Sequence, residues 1–146
     1  MINRRTTLAL LASTIAVPAF AMTNQTFQTN GIAINGYDPV AYFLENQPVT
    51  GTADHSFEWN GATWHFSSAE NRALFAENPE NYAPQFGGYC AYAASKNALA
   101  PSVPEAWTIY NNKLYLNFSL EVRALWRRNQ NANIALAEGF WPGLIG

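Results

Sequence analysis

The sequence predicts an α+β protein in which two β-hairpin–helix units pack as one compact domain. The first observation behind this prediction is an internal repeat, because residues 59–78 align without gaps with residues 110–129, at an offset of 51. Seven of the aligned positions are identical. The second observation is that each copy contains a β-prone run, a turn, another β-prone run and an apolar pattern of helical spacing.

Each copy of the repeat has a short turn between its two predicted strands. Asn60 and Gly61 form the turn of the first copy, and Asn111 and Asn112 form that of the second. Asparagine and glycine tolerate the positive φ angles that a two-residue type I′ turn requires at both central positions. The sequence therefore predicts two tight hairpins.

Polar residues mark where the predicted helices begin. Ser67 and Glu70 have capping-box spacing at the start of the helix that follows the first hairpin. Before the first copy, Asp38 is predicted as an N-cap, with Pro39 as the first helical residue. A last short helix is expected near the carboxyl end of the chain, stopped by Gly139.

The two copies differ in the side-chain pattern of their second strand. Trp64 and Phe66 alternate on one face of the first copy, whereas their counterparts are Tyr115 and Asn117, and the leucines lie on the opposite phase. Because side chains of a strand alternate between two faces, this difference has structural consequences. Either the second hairpin is covered on both faces, or it turns its opposite face to the core.

The first 21 residues have the pattern of a cleavable export signal. Arg4 and Arg5 precede a short apolar run, and residues 19–21 form an A-x-A cleavage sequence. The paired arginines favour the twin-arginine route. We therefore expect an export signal at residues 1–21, and a single mature domain at residues 22–146 in the periplasm.

Composition limits the classes of partner that the mature chain can bind. Removal of Arg4 and Arg5 leaves six Lys and Arg against ten Asp and Glu, which is a net charge of −4. This charge argues against nucleic acid and anionic membrane surfaces as partners. After the signal, the sequence has no apolar run of the roughly 20 residues that a membrane-spanning helix needs. A metal ion or a periplasmic protein remains as the expected partner.

The order of several short motifs resembles the YHS domain, a small metal-associated module. The quoted matches are Asp38-Pro39-Val40, Trp64-x-Phe66-x-Ser68 and "FAENPENY" at residues 75–82. The chain is also similar to longer exported YHS-domain proteins, and that similarity spans about residues 31–142. Its segments are residues 36–43, 82–95 and 104–117 and the final Trp141-Pro142. The resemblance implies a single YHS-like domain with a role in metal handling.

The chain departs from the family pattern at the positions where cysteines are expected. Ala41, Ser67 and Asn71 stand at these three positions. A hydroxyl or an amide does not replace a thiolate as a ligand for a soft metal. The family's metal association therefore carries over as an expectation about function, without its ligand set.

The remaining candidates for metal ligands are Cys90, His65 and His55. Copper or another transition-metal ion is the cofactor that these side chains would suit. In the expected hairpin register, His65 lies opposite Ser56, and His55 lies opposite Phe66. The alternative interpretation is that both histidines are rim residues that form ordinary hydrogen bonds.

Cys90 is the only cysteine in the chain, and it permits three interpretations. It can be a packed core residue, a functional thiol that binds a thiophilic ligand, or a catalytic nucleophile. The sequence contains no identifiable oxyanion loop or orienting residue, so we assign no catalytic residues.

Three functional hypotheses follow. The first is metal handling in the periplasm, and the second is binding of a non-metal ligand or a protein through an aromatic surface. The third is a Cys-dependent enzyme. Five tryptophans could contribute to the aromatic surface: Trp59, Trp64, Trp107, Trp126 and Trp141.

Overall fold

A computed structural model describes residues 24–146, so the predicted export signal lies outside the described residues. These residues contain six strands: β1 (Gln28–Thr29), β2 (Ile32–Ala33), β3 (Thr52–Trp59), β4 (Ala62–Phe66), β5 (Val103–Tyr110) and β6 (Lys113–Asn117). They also contain five α-helices: α1 (Pro39–Glu45), α2 (Ala69–Glu77), α3 (Ala91–Ser95), α4 (Leu120–Arg127) and α5 (Gln130–Leu144). Short 3₁₀ turns occupy Ile34–Gly36, Pro79–Asn81 and Gln85–Gly88.

The strands form two sheets. The first sheet has the order β1-β2-β4-β3, with β2 parallel to β4 and the other neighbours antiparallel. The second sheet is the β5–β6 hairpin. Helix α2 follows the first hairpin and α4 follows the second. The predicted mixed α+β class is confirmed.

Both hairpins close with the backbone conformation that their sequences predict. The φ angles are 51° at Asn60 and 79° at Gly61, and 52° at Asn111 and 62° at Asn112. Consecutive left-handed residues give a turn whose twist matches that of the flanking strands. The two tight turns are therefore confirmed.

A bulge in β3 changes the expected register. His65 pairs with Ser56, as predicted, but Phe66 pairs with Thr52 instead of His55. The pairing shifts between Thr52 and Ser56 because residues of the bulged strand are left without partners. The predicted pairing of His55 with Phe66 is wrong for this reason.

The helix starts confirm one predicted cap and correct another. Asp38 caps α1, and its carboxylate accepts hydrogen bonds from two backbone N–H groups of the first turn. Helix α2 is capped by Ser68, whose hydroxyl accepts from the backbone N–H of Asn71. The capping box predicted at Ser67 is wrong, because the Ser67 hydroxyl donates to Asp38 instead.

Two apolar clusters form the core, and β6 separates them. Leu114 and Leu116 pack in the first cluster, which lies around Trp64 and Phe75. Tyr115 points the other way, into the second cluster with Trp126 and Ala137. The second hairpin is therefore covered on both faces, which decides between the two arrangements that the sequence left open.

Helix α5 is longer than predicted. It continues through Gly139 and contains Pro142. A Cβ added at Gly139 would meet nothing within 4 Å, so this glycine lies on an open face of the helix. Asn133 and Ala137 are buried and Trp141 packs against the second cluster, so tertiary contacts sustain the helix past the glycine. No helix in residues 24–146 has the length and apolar character needed to cross a membrane.

Candidate functional site

A buried carboxylate occupies the place around which the family's cysteines are expected. Asp38 has no exposed surface. Its Oδ2 accepts from the backbone N–H of Ser67 at 2.8 Å, the Ser67 hydroxyl at 2.7 Å and Asn71 Nδ2 at 2.8 Å. Its Oδ1 accepts from the N–H groups of Val40 at 2.9 Å and Ala41 at 3.3 Å. All three positions that lack a cysteine therefore hydrogen-bond to Asp38.

This network leaves the Asp38 carboxylate little capacity to bind a metal ion. A carboxylate has about four lone-pair sites, and the five hydrogen bonds to Asp38 fill them. These donors stabilise the buried negative charge without a cation. The residues present here do not fit a thiolate metal cluster, because Ala41, Ser67 and Asn71 place a methyl group, a hydroxyl and an amide at the three positions.

The sequence places both side-chain donors of this network near the start of α2. Ser67 directly precedes the Ser68 cap and Asn71 lies in the first turn of the helix, so both side chains can donate to a shared acceptor. Only the fold brings that acceptor from a segment about 30 residues earlier in the chain.

Cys90 lies in the interior, at the beginning of α3. Its side chain has 1% exposure, and its sulfur accepts from the Ala93 N–H at 3.5 Å as the N-cap of the helix. The thiol donates to Asn117 Oδ1 at 3.4 Å, and the same oxygen accepts from the N–H of Tyr92 at 3.0 Å. These contacts give Cys90 a packing and capping role, the first of its three interpretations.

A small apolar cavity lies beside Cys90. Its volume is about 300 Å³, and its other lining residues are Tyr92, Ala93, Ala100, Phe118 and Val122. Nearby, Asn117 Nδ2 is buried and has no hydrogen-bond partner. The cavity has no second side chain of the kind that binds soft metals, so the thiol lacks a co-ligand within it.

The two histidines lie on adjacent strands of the first sheet. His65 is half-buried in β4 and lines a cavity of about 380 Å³ with Gly36 and Gly51. His55 is half-buried in the bulged part of β3. Among residues 24–146, no three or more His, Cys, Asp or Glu side chains are grouped to hold a metal ion. The assignment of Cys90, His65 and His55 as ligands stays a prediction.

Another concave site is an aromatic groove with a volume of about 400 Å³. We define the aromatic groove by its lining residues, which are Trp59, Glu80, Ala83, Pro84, Gln85, Phe86, Lys113 and Trp141. Trp59 ends β3, Lys113 begins β6 and Trp141 belongs to α5. The other lining residues lie between positions 80 and 86, so the tertiary structure assembles this groove from four separate parts of the chain.

Phe86 holds an unusual backbone conformation in the wall of the aromatic groove. Its φ is 55° and its ψ is 38°, a left-handed conformation that is rare for a bulky residue. Its ring lies 5.8 Å from that of Trp141 and 6.1 Å from that of Tyr115. Such strain persists where the surrounding structure enforces it, and it is common at ligand sites.

The adjacent Gly87 helps to enforce this conformation. A Cβ at Gly87 would lie 1.8 Å from the carbonyl oxygen of Gln25, so no other residue fits. The N–H of Phe27 donates to the carbonyl of Gly87 at 2.9 Å and fixes the loop to the amino-terminal segment. The position of Phe86 in the groove is therefore set by backbone contacts as well as by ring packing.

Comparison with known proteins agrees with the family resemblance. Residues 40–86 match the model of the YHS domain. No curated protein and no solved structure matches the chain. The matched region contains α1, the first hairpin and α2, and it includes Ala41, Ser67 and Asn71 from the Asp38 network. Residues 40–86 of the chain therefore form a YHS domain.

Proposed function

We propose that the protein is an exported YHS-type binding module that holds a non-metal ligand in the aromatic groove. The observation that carries this proposal is the groove itself, a concave space lined by Trp59, Phe86 and Trp141 together with the charged residues Glu80 and Lys113. Ligand sites are typically concave, and polar groups within them orient the ligand. Aromatic side chains supply much of the contact energy in such sites.

The YHS domain associates the protein with a metal-related family, but the Asp38 network argues against metal at the family's cysteine positions. Asp38 accepts hydrogen bonds from Ser67 and Asn71, so these three polar groups already satisfy one another. A cation would have to displace these donors from the carboxylate. The groove offers a ligand site that requires no such rearrangement.

A thermal-shift screen tests the groove. Trp141→Ala removes one aromatic wall, and Phe140→Ala is its matched control, because Phe140 is 36% exposed on the same helix and does not line the groove. We expect some members of a library of charged and neutral small molecules to raise the Tm of the parent and of Phe140→Ala. The same compounds should leave the Tm of Trp141→Ala unchanged. Equal shifts in all three proteins, or no shift in any, would contradict the proposal.

A peptide of a periplasmic partner protein could occupy the same groove. This version of the proposal predicts that a pull-down from the export compartment recovers a partner with the parent and with Phe140→Ala. Recovery with Trp141→Ala as well would place the partner at another surface.

Metal handling through Cys90 with His65 or His55 is the second candidate. The family's metal association favours it, and a thiolate with imidazole suits a copper ion. Native mass spectrometry of the mature protein from its export compartment, beside Cys90→Ser, tests it. A metal in the parent that is missing from the variant would support a Cys90 site, whereas apo masses in both would oppose it.

The location is part of the proposal. The paired arginines and the A-x-A sequence support export by the twin-arginine route into the periplasm. Replacement of Arg4 and Arg5 by lysine should retain the uncleaved precursor in the cytoplasm, as detected by cell fractionation. Continued export of the double variant would exclude that route.

We also propose that the two hairpin–helix units are copies of one ancestral unit with an offset of 51. Matched features support it, since Ser68 and Ser119 cap the helices after the two hairpins. Both hairpins also have a register shift near the start of their first strand. Alignment of related sequences tests this proposal, because both units should align with one common pattern.

A further inference from the structure

We infer that the guanidinium groups of Arg123 and Arg127 form a second binding site, which holds a small dianion such as a phosphate group or a dicarboxylate. Both arginines belong to α4 and contact β5. Neither lines the aromatic groove, so this site is separate from the one in the proposed function.

The two guanidinium groups are neighbours because both donate to one carbonyl oxygen. Arg123 and Arg127 are four residues apart on α4, so they lie on the same face of the helix. Nη1 of Arg123 lies 3.0 Å from the carbonyl oxygen of Trp107, and Nη2 of Arg127 lies 3.4 Å from the same atom. The shared oxygen therefore places two positive charges within reach of one small ligand.

Further hydrogen bonds fix the orientation of both side chains. Nη1 of Arg123 also donates to the carbonyl of Glu105 at 3.2 Å. Arg127 donates to the Thr108 hydroxyl from Nε at 3.1 Å and from Nη2 at 2.9 Å. Thr108 is buried in β5, so it is a fixed anchor. Side chains that are already ordered lose less conformational entropy when a ligand binds.

Each guanidinium keeps N–H donors that no protein group uses. Within residues 24–146, Nε and Nη2 of Arg123 and Nη1 of Arg127 form no hydrogen bond with the protein. Planar guanidinium donors match the spacing of the oxygen atoms in carboxylates and phosphates. The unused donors of two adjacent groups therefore suit a ligand with several acceptor oxygens.

The protein does not neutralise this pair of charges through hydrogen bonds. In the described part of the chain, every hydrogen bond from Arg123 or Arg127 goes to a carbonyl or a hydroxyl, and none goes to a carboxylate. Burial lowers the pKa of Arg127, and the positive charge of Arg123 lowers it further. Like charges four residues apart on a helix repel each other. A bound dianion relieves this repulsion, and two positive charges favour it over a monoanion.

An NMR titration of the mature protein with inorganic phosphate, and separately with malonate, tests this inference. The Nε–H resonances report on each arginine side chain. We expect those of Arg123 and Arg127 to shift saturably with at least one probe, while those of Arg72 and Arg128 stay unchanged. Sodium chloride at the same ionic strength should not reproduce the shifts.

The two probes also distinguish the sources of the dianion. Tighter binding of phosphate would assign a phosphate ester as the ligand, and tighter binding of malonate would assign a dicarboxylate. No saturable shift with either probe, or the same response to sodium chloride, would overturn the inference.

Lysine variants test the role of the guanidinium groups. Arg127→Lys keeps the charge but removes the planar donors, so we expect it to weaken the tighter probe about tenfold, and Arg123→Lys likewise. Arg128→Lys is the matched control and should bind like the parent, because Arg128 is an exposed arginine at the end of the same helix. Equal affinities of Arg127→Lys and Arg128→Lys would overturn the inference. If a variant fails to fold, the titration of the parent still decides.

Discussion

Asp38 shows how a single buried carboxylate can join two helix starts. Its carboxylate accepts from backbone N–H groups of α1 and from the side chains of Ser67 and Asn71. The residue joins the start of α1 to the start of α2. Since its donors come from both helix starts, the carboxylate fixes the relative position of α1 and α2.

Asp38→Asn should destabilise the protein by about 3 kcal/mol. Oδ2 accepts three hydrogen bonds, so an amide nitrogen at either oxygen position would face donors and leave buried groups unpaired. Urea unfolding of the variant measures this loss. Ser67→Ala is the control, because it removes one donor and should cost only about 1–2 kcal/mol. Equal losses in the two variants would contradict this account.

We expect the folding stability of the protein to fall at alkaline pH because of Tyr42. Burial raises the pKa of Tyr42, and Glu105 and Tyr37 raise it further, while its hydroxyl donates to the carbonyl of Pro104 at 2.9 Å. The native state therefore keeps this proton at a pH where the unfolded chain, with a tyrosine pKa of about 10, releases it. Stability should be full below about pH 10 and fall above it, by at most about 1.4 kcal/mol per pH unit for this group.

Tyr42→Phe tests the origin of that fall. The free energy of unfolding in urea, measured from about pH 8 to pH 11, should decline less steeply in the variant than in the parent. At pH 8 the variant should be less stable by about 1 kcal/mol, because the Pro104 carbonyl loses its donor. Tyr89 and Tyr115, whose pKa values are also raised by burial, contribute equally to both curves. Parallel curves would exclude Tyr42 as the cause.

At the scale of the element, the backbone conformation of a turn or a helix decides whether a substitution raises or lowers the stability of the protein. Gly61 has a φ of 79° in the first hairpin turn, whereas Gly139 lies within α5. A Cβ at either position would meet nothing within 4 Å. The two glycines therefore isolate conformational preference from packing.

Alanine substitution at these two glycines should have opposite effects. Gly61→Ala should destabilise the protein by about 1–2 kcal/mol, because a side chain disfavours the left-handed conformation. Gly139→Ala should stabilise it by up to about 1 kcal/mol, because alanine is the better helix former. Thermal unfolding of both variants measures the difference, and a change of the same sign in both would contradict it.

In the second hairpin, arginines of α4 donate hydrogen bonds to the first strand, β5. Arg123 donates to the carbonyls of Glu105 at 3.2 Å and Trp107 at 3.0 Å, near the register shift of the hairpin. Arg127 donates to Thr108 Oγ1 at 2.9 Å, and burial together with Arg123 lowers its pKa. These bonds pair carbonyls of a strand that has one neighbour in its sheet, which discourages pairing with another chain.

At the scale of the molecule, β6 joins the two apolar clusters into one cooperative unit. Leu116 packs in the first cluster and Tyr115 in the second, on opposite faces of the same strand. Loss of either cluster therefore exposes the strand that supports the other. We therefore expect the two hairpin–helix units to unfold together in a single transition.

Leu116→Ala tests this cooperativity. Leu116 is 1% exposed, so its truncation should cost about 2–5 kcal/mol. In native-state hydrogen exchange, amides of both hairpins should lose protection together. Leu125→Ala, at a position 39% exposed on α4, is the control and should change protection little. Selective loss in the first cluster alone would show that the two units unfold independently.

Local features of the fold were predictable from the sequence. The turns at Asn60 and Asn111 and the cap at Asp38 are confirmed, because each depends on a few adjacent residues. The end of α5 and the register of His55 were wrong. Helix α5 continues past Gly139 because Trp141 packs against the second cluster. His55 does not pair with Phe66 because β3 contains a bulge.

The sequence by itself determined the α+β class, the order of its hairpins and helices, and the absence of cysteines from the family's positions, since these are properties of adjacent residues. Only the tertiary structure decided that β6 is buried on both faces, that Ser67 and Asn71 close on Asp38, and that Trp59 and Trp141 meet in one groove. These contacts join segments that are far apart in the chain. Their geometry depends on how whole elements pack, which no local pattern of residues specifies.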